Sequence, residues 1–158
     1  MIYEALKTVH VLCIILWIGG MVFAHYFLRP AVASLEPAVR LRLMHDVLGR
    51  FFRAVLVASL LTLASGLWML GRVAKEVVQS GGSFQMPVYW IVMTALGILM
   101  VAIFMHLRFA LYKRLSRAVQ ASDWPAGGQA MAQIRQWVAI NLGIGTLILL
   151  ATLLRWPA

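Results

Sequence analysis

The sequence predicts an all-α integral membrane protein in which four transmembrane helices form an up-and-down bundle. Of its 158 residues, 63% are hydrophobic and 12% are charged, a composition unlike that of soluble domains. Long apolar stretches occur at about residues 5–28, 54–70, 88–107 and 138–154. Each is near the length that a helix needs to cross about 30 Å of hydrocarbon. The four spans and their short connections account for the whole sequence. Residues 1–158 are therefore predicted to form a single transmembrane domain.

Helix breakers separate the four spans. Arg29-Pro30 ends the first span, because proline lacks a backbone donor and disfavours helix at the residue before it. Two glycines at 81–82 and the segment WPAGG at 124–128 mark the second and third connections. The backbone groups of each span must be satisfied within it, so the spans are predicted to be helices.

The first connection contains an amphipathic segment at residues 36–49. Leu41 and Met44 fall on one side of a helix there, and Arg40 and Arg42 fall elsewhere. This pattern predicts a short amphipathic helix that lies on the membrane surface before helix two.

Positive charge is concentrated at one end of the predicted bundle. The first and third connections with their flanks hold ten of the 14 basic residues, whereas the other end has only Lys7, Arg72, Lys75 and Arg155. The positive-inside rule therefore predicts a cytoplasmic location for these connections and a periplasmic one for both termini, in a bacterial inner membrane. The net charge of +9 is then explained by topology and anionic lipid. The bilayer is the predicted partner, and nucleic acid is not.

Histidines are the first candidates for chemistry, because ionisable groups inside a membrane are costly. On this topology His25 and His106 each lie about one turn inside the cytoplasmic surface, on helices one and three. Two imidazoles at matching depth on different helices meet the requirement for bis-histidine ligation of a haem. The sequence thus suggests haem b held by His25 and His106, with His45 or His10 as replacement or second-site ligands. The alternative is that these rings only reach headgroups or water.

A second candidate set lies toward the periplasmic side. His10 and Cys13 are one turn apart on helix one, Met93 lies at a similar depth on helix three, and Met69 is near the outer end of helix two. Imidazole, thiol and thioether suit Cu(I), although methionine is also an ordinary core filler. Because His106 is rotated about 140° from Met93 around helix three, both cannot face inward. We expect His106 to be the inward group, since imidazole in lipid is the costlier placement.

Asn141 is a polar side chain deep in the fourth span. Its amide could orient a ligand, and packing against neighbouring helices through small and polar faces is the alternative. The sequence has no Ser-His-Asp arrangement, paired carboxylates, P-loop or zinc spacing, which argues against a hydrolase or a nucleotide enzyme.

Several short motifs resemble those of two related membrane families. Residues 6–10 (LKTVH) and 17–21 (WIGGM) resemble the first helix of the copper resistance D (CopD) family and of the HemJ family. Residues 51–53 (FFR) and 65–68 (SGLW) resemble the second helix of CopD-type domains. The resemblance implies a four-helix inner-membrane protein, and CopD proteins are associated with copper import.

The later helices resemble HemJ proteins, which are associated with protoporphyrinogen oxidation and b-type haem. Residues 105–108 (MHLR) resemble the end of the third HemJ helix, and Arg135 with Asn141 resembles the fourth. The chain departs from HemJ at residues 91–93, where a histidine and a lysine are expected, and at Leu142, where an acid is expected. CopD-like is therefore the closer description.

The leading expectation is a CopD/HemJ-like haem protein that serves electron transfer or a membrane redox step, with a redox partner or quinone. Whether it is a haem-dependent enzyme stays open. The alternative is a Cu(I)-handling transporter with His10, Cys13 and Met93 as ligands. A third alternative is a structural or assembly subunit. A homodimer could form through the small-residue faces of the helices.

Overall fold

A computed structural model describes residues 1–154, and it contains four long helices. We label them α1 (Ile2–Ala31), α2 (Pro37–Gln79), α3 (Val88–Gln120) and α4 (Trp124–Leu153). All four are long and apolar enough to cross a membrane, and no strand occurs within the described residues. The predicted all-α, four-span fold is confirmed. Arg155, which the charge pattern assigned to the terminal side, lies outside the described residues.

Two of the connections between helices contain residues that favour a helix end or a helix start. Gly81 follows α2 with a φ of 83°, a left-handed conformation that glycine adopts without strain. The carboxylate of Asp123 accepts a hydrogen bond from the backbone N–H of Ala126 at 3.0 Å, which caps the start of α4.

The amphipathic segment at residues 36–49 is not a separate surface helix. It forms the first turns of α2, which runs without interruption for 43 residues, or about 65 Å at 1.5 Å per residue. Leu41 and Met44 are buried, and Leu41 packs against Gly127 of α4. The apolar side of this segment therefore packs against other helices of the bundle, where its side chains are buried more completely than they would be at the membrane surface.

Three helices extend past their predicted apolar spans at the same end of the bundle. α2 begins 17 residues before the predicted span at 54–70, α3 continues to Gln120, and α4 begins at Trp124. We call this the basic end, because it carries the first and third connections. The opposite end, with Met1 and Leu154, is the terminal end.

An aromatic layer crosses the middle of the bundle. The ring of Trp17 on α1 meets that of Phe104 on α3 edge to face at 5.8 Å, and Phe104 meets Phe52 of α2 at 5.9 Å. All three side chains are buried. This layer separates the terminal half of the bundle from the basic half.

Two π-helical segments interrupt the regular helices on the basic side of this layer, Phe23–Leu28 in α1 and Leu107–Leu111 in α3. The backbone hydrogen bonds of a π-helix span five residues, whereas those of an α-helix span four. A helix face predicted with 100° per residue is therefore shifted at these segments, so residues before and after them in α1 and α3 do not share the predicted face.

Candidate metal-binding cavity

A cavity of about 320 Å³ lies between the helices at the terminal end. All four helices contribute to its wall, for example with His10 of α1, Met69 of α2, Met93 of α3 and Leu149 of α4. Most of the lining is apolar, and a few polar side chains converge on it, which is typical of binding sites.

His10 is held in one orientation by α2. Its Nδ1 lies 3.0 Å from Oγ of Ser65, and that hydroxyl donates to the carbonyl oxygen of Leu61 at 2.6 Å. Because the hydroxyl proton is used there, Oγ accepts a hydrogen bond from Nδ1–H of His10. This network assigns the ring proton to Nδ1 and leaves Nε2 with a lone pair, which is the form of histidine that binds metals.

Gly66 makes room for the His10 ring on α2. A Cβ atom at this position would lie 3.1 Å from Cε1 of His10, closer than nearly all Cβ contacts. A larger residue would therefore push the ring away from Ser65. The pair Ser65-Gly66 thus positions the ring by one hydrogen bond and one close contact.

Three thioethers line the same cavity as His10. Met69 comes from α2, and Met93 and Met100 come from α3. Met100 is buried, with 5% of its surface exposed, and Thr62 adds a buried hydroxyl with no hydrogen-bond partner in the described chain. One imidazole with several thioethers is a soft donor set that suits Cu(I) better than Zn²⁺ or Mg²⁺.

Cys13 is not part of this lining. It is a half-buried free thiol, and the residues of α1 that line the cavity near it are His10, Val11, Ile14 and Trp17. Of the three predicted copper ligands, the structure therefore brings His10 and Met93 to one cavity and leaves Cys13 outside it. Within residues 1–154, no three His, Cys, Asp or Glu side chains converge, so a metal site here would depend on methionine.

The cavity ends at the aromatic layer. Trp17 lines the cavity and also contacts Phe104, and Gly145 of α4 and Met100 line it at a similar depth. A Cβ atom at Gly145 would lie 3.1 Å from Ile18 and 3.2 Å from Met100, so any larger residue would require these side chains to shift, and the three helices approach closely here. In this conformation, these side chains close the cavity toward the basic end.

The expectation that His106 is the inward group of α3 is wrong. His106 is exposed, and its ring meets Trp137 edge to face at 5.7 Å on the outside of the bundle. The opposite side of α3, with Met93 and Met100, faces inward. An imidazole near the end of the apolar span avoids the cost of burial in lipid by reaching the interface beside an amphipathic Trp.

The other two histidines also have neighbours unrelated to a shared ligand. His25 is half-buried and lies against Tyr26 at 4.8 Å. His45 stacks on Tyr112 of α3 at 5.2 Å, and the Tyr112 hydroxyl donates to the backbone oxygen of His45 at 3.1 Å. His45 thus helps to hold α2 against α3 at the basic end.

Asn141 is fully buried in α4. Neither its Oδ1 nor its Nδ2 has a hydrogen-bond partner within the described residues, although a buried amide without partners costs about 1–3 kcal/mol. Asn141 lies one turn from Gly145, on the basic side of the cavity floor. Its role as a ligand-orienting group stays a prediction.

Comparison with protein families identifies the chain. A family model described as copper resistance protein D matches residues 45–155. The chain belongs to the CopD family. It is a copper-resistance-related membrane protein with several spans, and the family and the apolar helices together indicate the inner membrane. No curated protein and no solved structure matches this CopD-family chain.

The family match covers most of the wall of the cavity. Of the wall, Met69, Met93 and Met100 lie within the matched residues, as does Ser65 behind it, whereas His10 lies before them. The expectation of haem b with His25 and His106 as axial ligands gains no support from the family or from the positions of the two rings. The copper alternative fits the family and the donor set of the cavity better. A redox partner, a quinone and a homodimer stay predictions.

Proposed function

We propose that this CopD-family chain handles Cu(I), which it binds as its substrate in the terminal cavity. Nε2 of His10 is the nitrogen ligand, and the thioethers of Met93 and Met69 are the sulfur ligands. Met100 offers a further thioether next to the floor. The observation that carries this proposal is the common lining of His10 and three methionines, with His10 held by Ser65.

The protonation of His10 supports its role as a ligand. A histidine whose Nδ1–H donates to another group presents Nε2 to a metal, and such a hydrogen bond fixes the ring orientation. Cu(II) prefers a square arrangement of nitrogen and oxygen ligands, which this cavity lacks, so the reduced ion is the substrate.

We also propose that copper enters from the periplasm, because the cavity lies at the terminal end and the basic residues gather at the other end. The positive-inside rule assigns the basic end to the cytoplasm. Reporter fusions after residue 158 and in the connection at residues 32–36 test this orientation. Reporter activity should indicate that residue 158 is periplasmic and that the connection is cytoplasmic. The reverse result would contradict the proposal that copper enters from the periplasm.

Release into the cytoplasm requires a second conformation, since Trp17 and Phe104 close the floor of the cavity. Asn141 lies one turn from Gly145 on the basic side of the floor, its two polar side-chain atoms have no partner within residues 1–154, and we place it on this route. Copper uptake by proteoliposomes separates transport from binding alone. Asn141→Leu should slow uptake while Cu(I) affinity stays unchanged.

The main experiment is a competition titration of the detergent-purified protein against a chromogenic Cu(I) chelator under reducing conditions. His10→Ala should weaken Cu(I) binding about a hundredfold or more, because it removes a ligand rather than a supporting group. His106→Ala is the matched control, since this ring is exposed outside the cavity. Equal affinities of the two variants would contradict the proposal.

The thioether contribution has its own pair of variants. Met93→Leu removes the sulfur with little change in volume and should weaken Cu(I) binding, and Met105→Leu on the same helix lies outside the cavity and should not. A reduced-minus-oxidised spectrum of the same sample tests the haem interpretation. Sharp b-type bands that disappear in His25→Ala would overturn the copper proposal, and a protein that binds neither copper nor haem would favour a structural subunit.

A further inference from the structure

Three arginines from three helices line one cleft at the basic end. Arg29 of α1, Arg40 of α2 and Arg135 of α4 line a space of about 260 Å³. Arg29 and Arg40 flank the first connection, and the fold brings Arg135 of α4 to the same cleft. None of the cavity chemistry described above uses them.

The positive charges in this cleft are not neutralised by the protein. Within residues 1–154 no Asp or Glu lines the cleft, and neither of the two ion pairs in these residues, His45 with Asp46 and Arg72 with Glu76, involves an arginine of the cleft. Arg40 is held over the connection by a hydrogen bond from Nη1 to the backbone oxygen of Ala33 at 3.3 Å. Positive charges that line one cleft repel each other, and an anion bound between them would relieve this repulsion.

The depth of the cleft indicates what kind of anion reaches it. Arg29 directly follows the predicted span at 5–28, and Arg135 precedes the span at 138–154 by one turn, so both lie where lipid headgroups lie. The rest of the wall includes Leu41, Met44 and Met131. A cleft lined by both guanidinium groups and apolar side chains suits a headgroup with its glycerol and acyl chains.

We propose that this cleft binds the phosphate group of an anionic phospholipid. Guanidinium groups recognise phosphate with paired hydrogen bonds, which ammonium groups cannot form. The bound lipid would join the ends of α1, α2 and α4 at the cytoplasmic surface. This site is independent of copper binding.

The test compares a cleft variant with a variant of equal charge. In the cleft variant Arg29, Arg40 and Arg135 are each replaced by Gln, and in the control Arg50, Arg114 and Arg117 are each replaced by Gln. The control residues are exposed at the same end and lie outside the cleft. Native mass spectrometry of delipidated protein then measures the binding of phosphatidylglycerol, phosphatidylcholine and inorganic phosphate.

Phosphatidylglycerol should bind the unchanged protein and the control at least tenfold more tightly than the cleft variant, and phosphatidylcholine should show no such difference. Inorganic phosphate that binds as tightly as phosphatidylglycerol, and is lost only in the cleft variant, would support the phosphate site but assign it to a soluble anion. Equal weakening in the cleft variant and the control would overturn the proposal, because it would indicate general surface charge. Unchanged binding in both would also overturn it.

Discussion

The terminal and basic ends of this bundle differ in how they use space and charge. At the terminal end the helices separate around a cavity of about 320 Å³ that is lined by one imidazole and three thioethers. At the basic end they pack closely through side chains such as Leu111, Leu115 and Ile134, and charge lies at the surface. A soft cation needs few, precisely held ligands in apolar surroundings, whereas arginines are tolerated only where water or headgroups reach them. The same four helices therefore enclose a cavity at one end and form a packed, basic region at the other.

Among the substitutions considered, one in the aromatic layer between the two ends should cause the largest loss of stability. Phe104→Ala should destabilise the protein by about 2 kcal/mol, because a void of about 100 Å³ costs about 24 cal/mol per Å³ even where lipid removes the transfer term. Unfolding in mixed micelles with increasing SDS measures this loss. Phe109→Ala, on the same helix with 49% of its surface exposed, should leave the free energy of unfolding nearly unchanged. Equal losses would show that the layer is not a packed core.

The close packing of the basic end is tested at Gly49. A Cβ atom there would overlap the hydroxyl of Tyr112, which itself donates to His45. Gly49→Ala should therefore cost about 1–2 kcal/mol through overpacking. Tyr112→Phe removes the overlapping atom, so in the double variant the effect of Gly49→Ala should be smaller. Strictly additive effects in the same SDS titration would contradict this contact.

The terminal end should lose function with little loss of stability. Ser65→Ala removes the acceptor of the His10 Nδ1–H, and loss of such a supporting group typically weakens metal binding about 10–100-fold. The chelator competition described above measures it. Ser59→Ala is the matched control, because Ser59 is equally buried on α2 and its hydroxyl donates to Leu56 of its own helix. If both variants bind Cu(I) alike, Ser65 does not position His10.

The smallest expected effect is at Gly66. Gly66→Ala should weaken Cu(I) binding about threefold by displacing the His10 ring, which lies 3.1 Å from the added Cβ atom. Gly71→Ala, where a Cβ atom meets nothing within 4 Å, should leave binding unchanged and stabilise α2 by about 0.5–1 kcal/mol. Thermal unfolding followed by circular dichroism measures the second effect, and a binding loss in Gly71→Ala would contradict the role of the close contact.

Part of the cavity follows from the sequence and part does not. The soft character of His10 and Met93, and their similar depth, can be recognised from residue type and position in the spans. Ser65 cannot, because it lies 55 residues from His10 and its hydroxyl resembles that of any helical serine. The sequence of α3 also does not decide whether Met93 or His106 faces the interior of the bundle. This span is apolar on all sides, so its pattern assigns no particular face to the interior.

The sequence by itself determined the number of helices, their approximate spans, the asymmetry of charge and the membership of the CopD family. These features depend on local quantities, namely apolar length, helix breakers and the positions of arginines, which act before any helix meets another. Only the tertiary structure decided that α2 is continuous, that Met93 rather than His106 faces inward, and that Arg29, Arg40 and Arg135 share a cleft. The physical reason is that lipid solvates every apolar face equally well, so close packing between helices selects which faces meet.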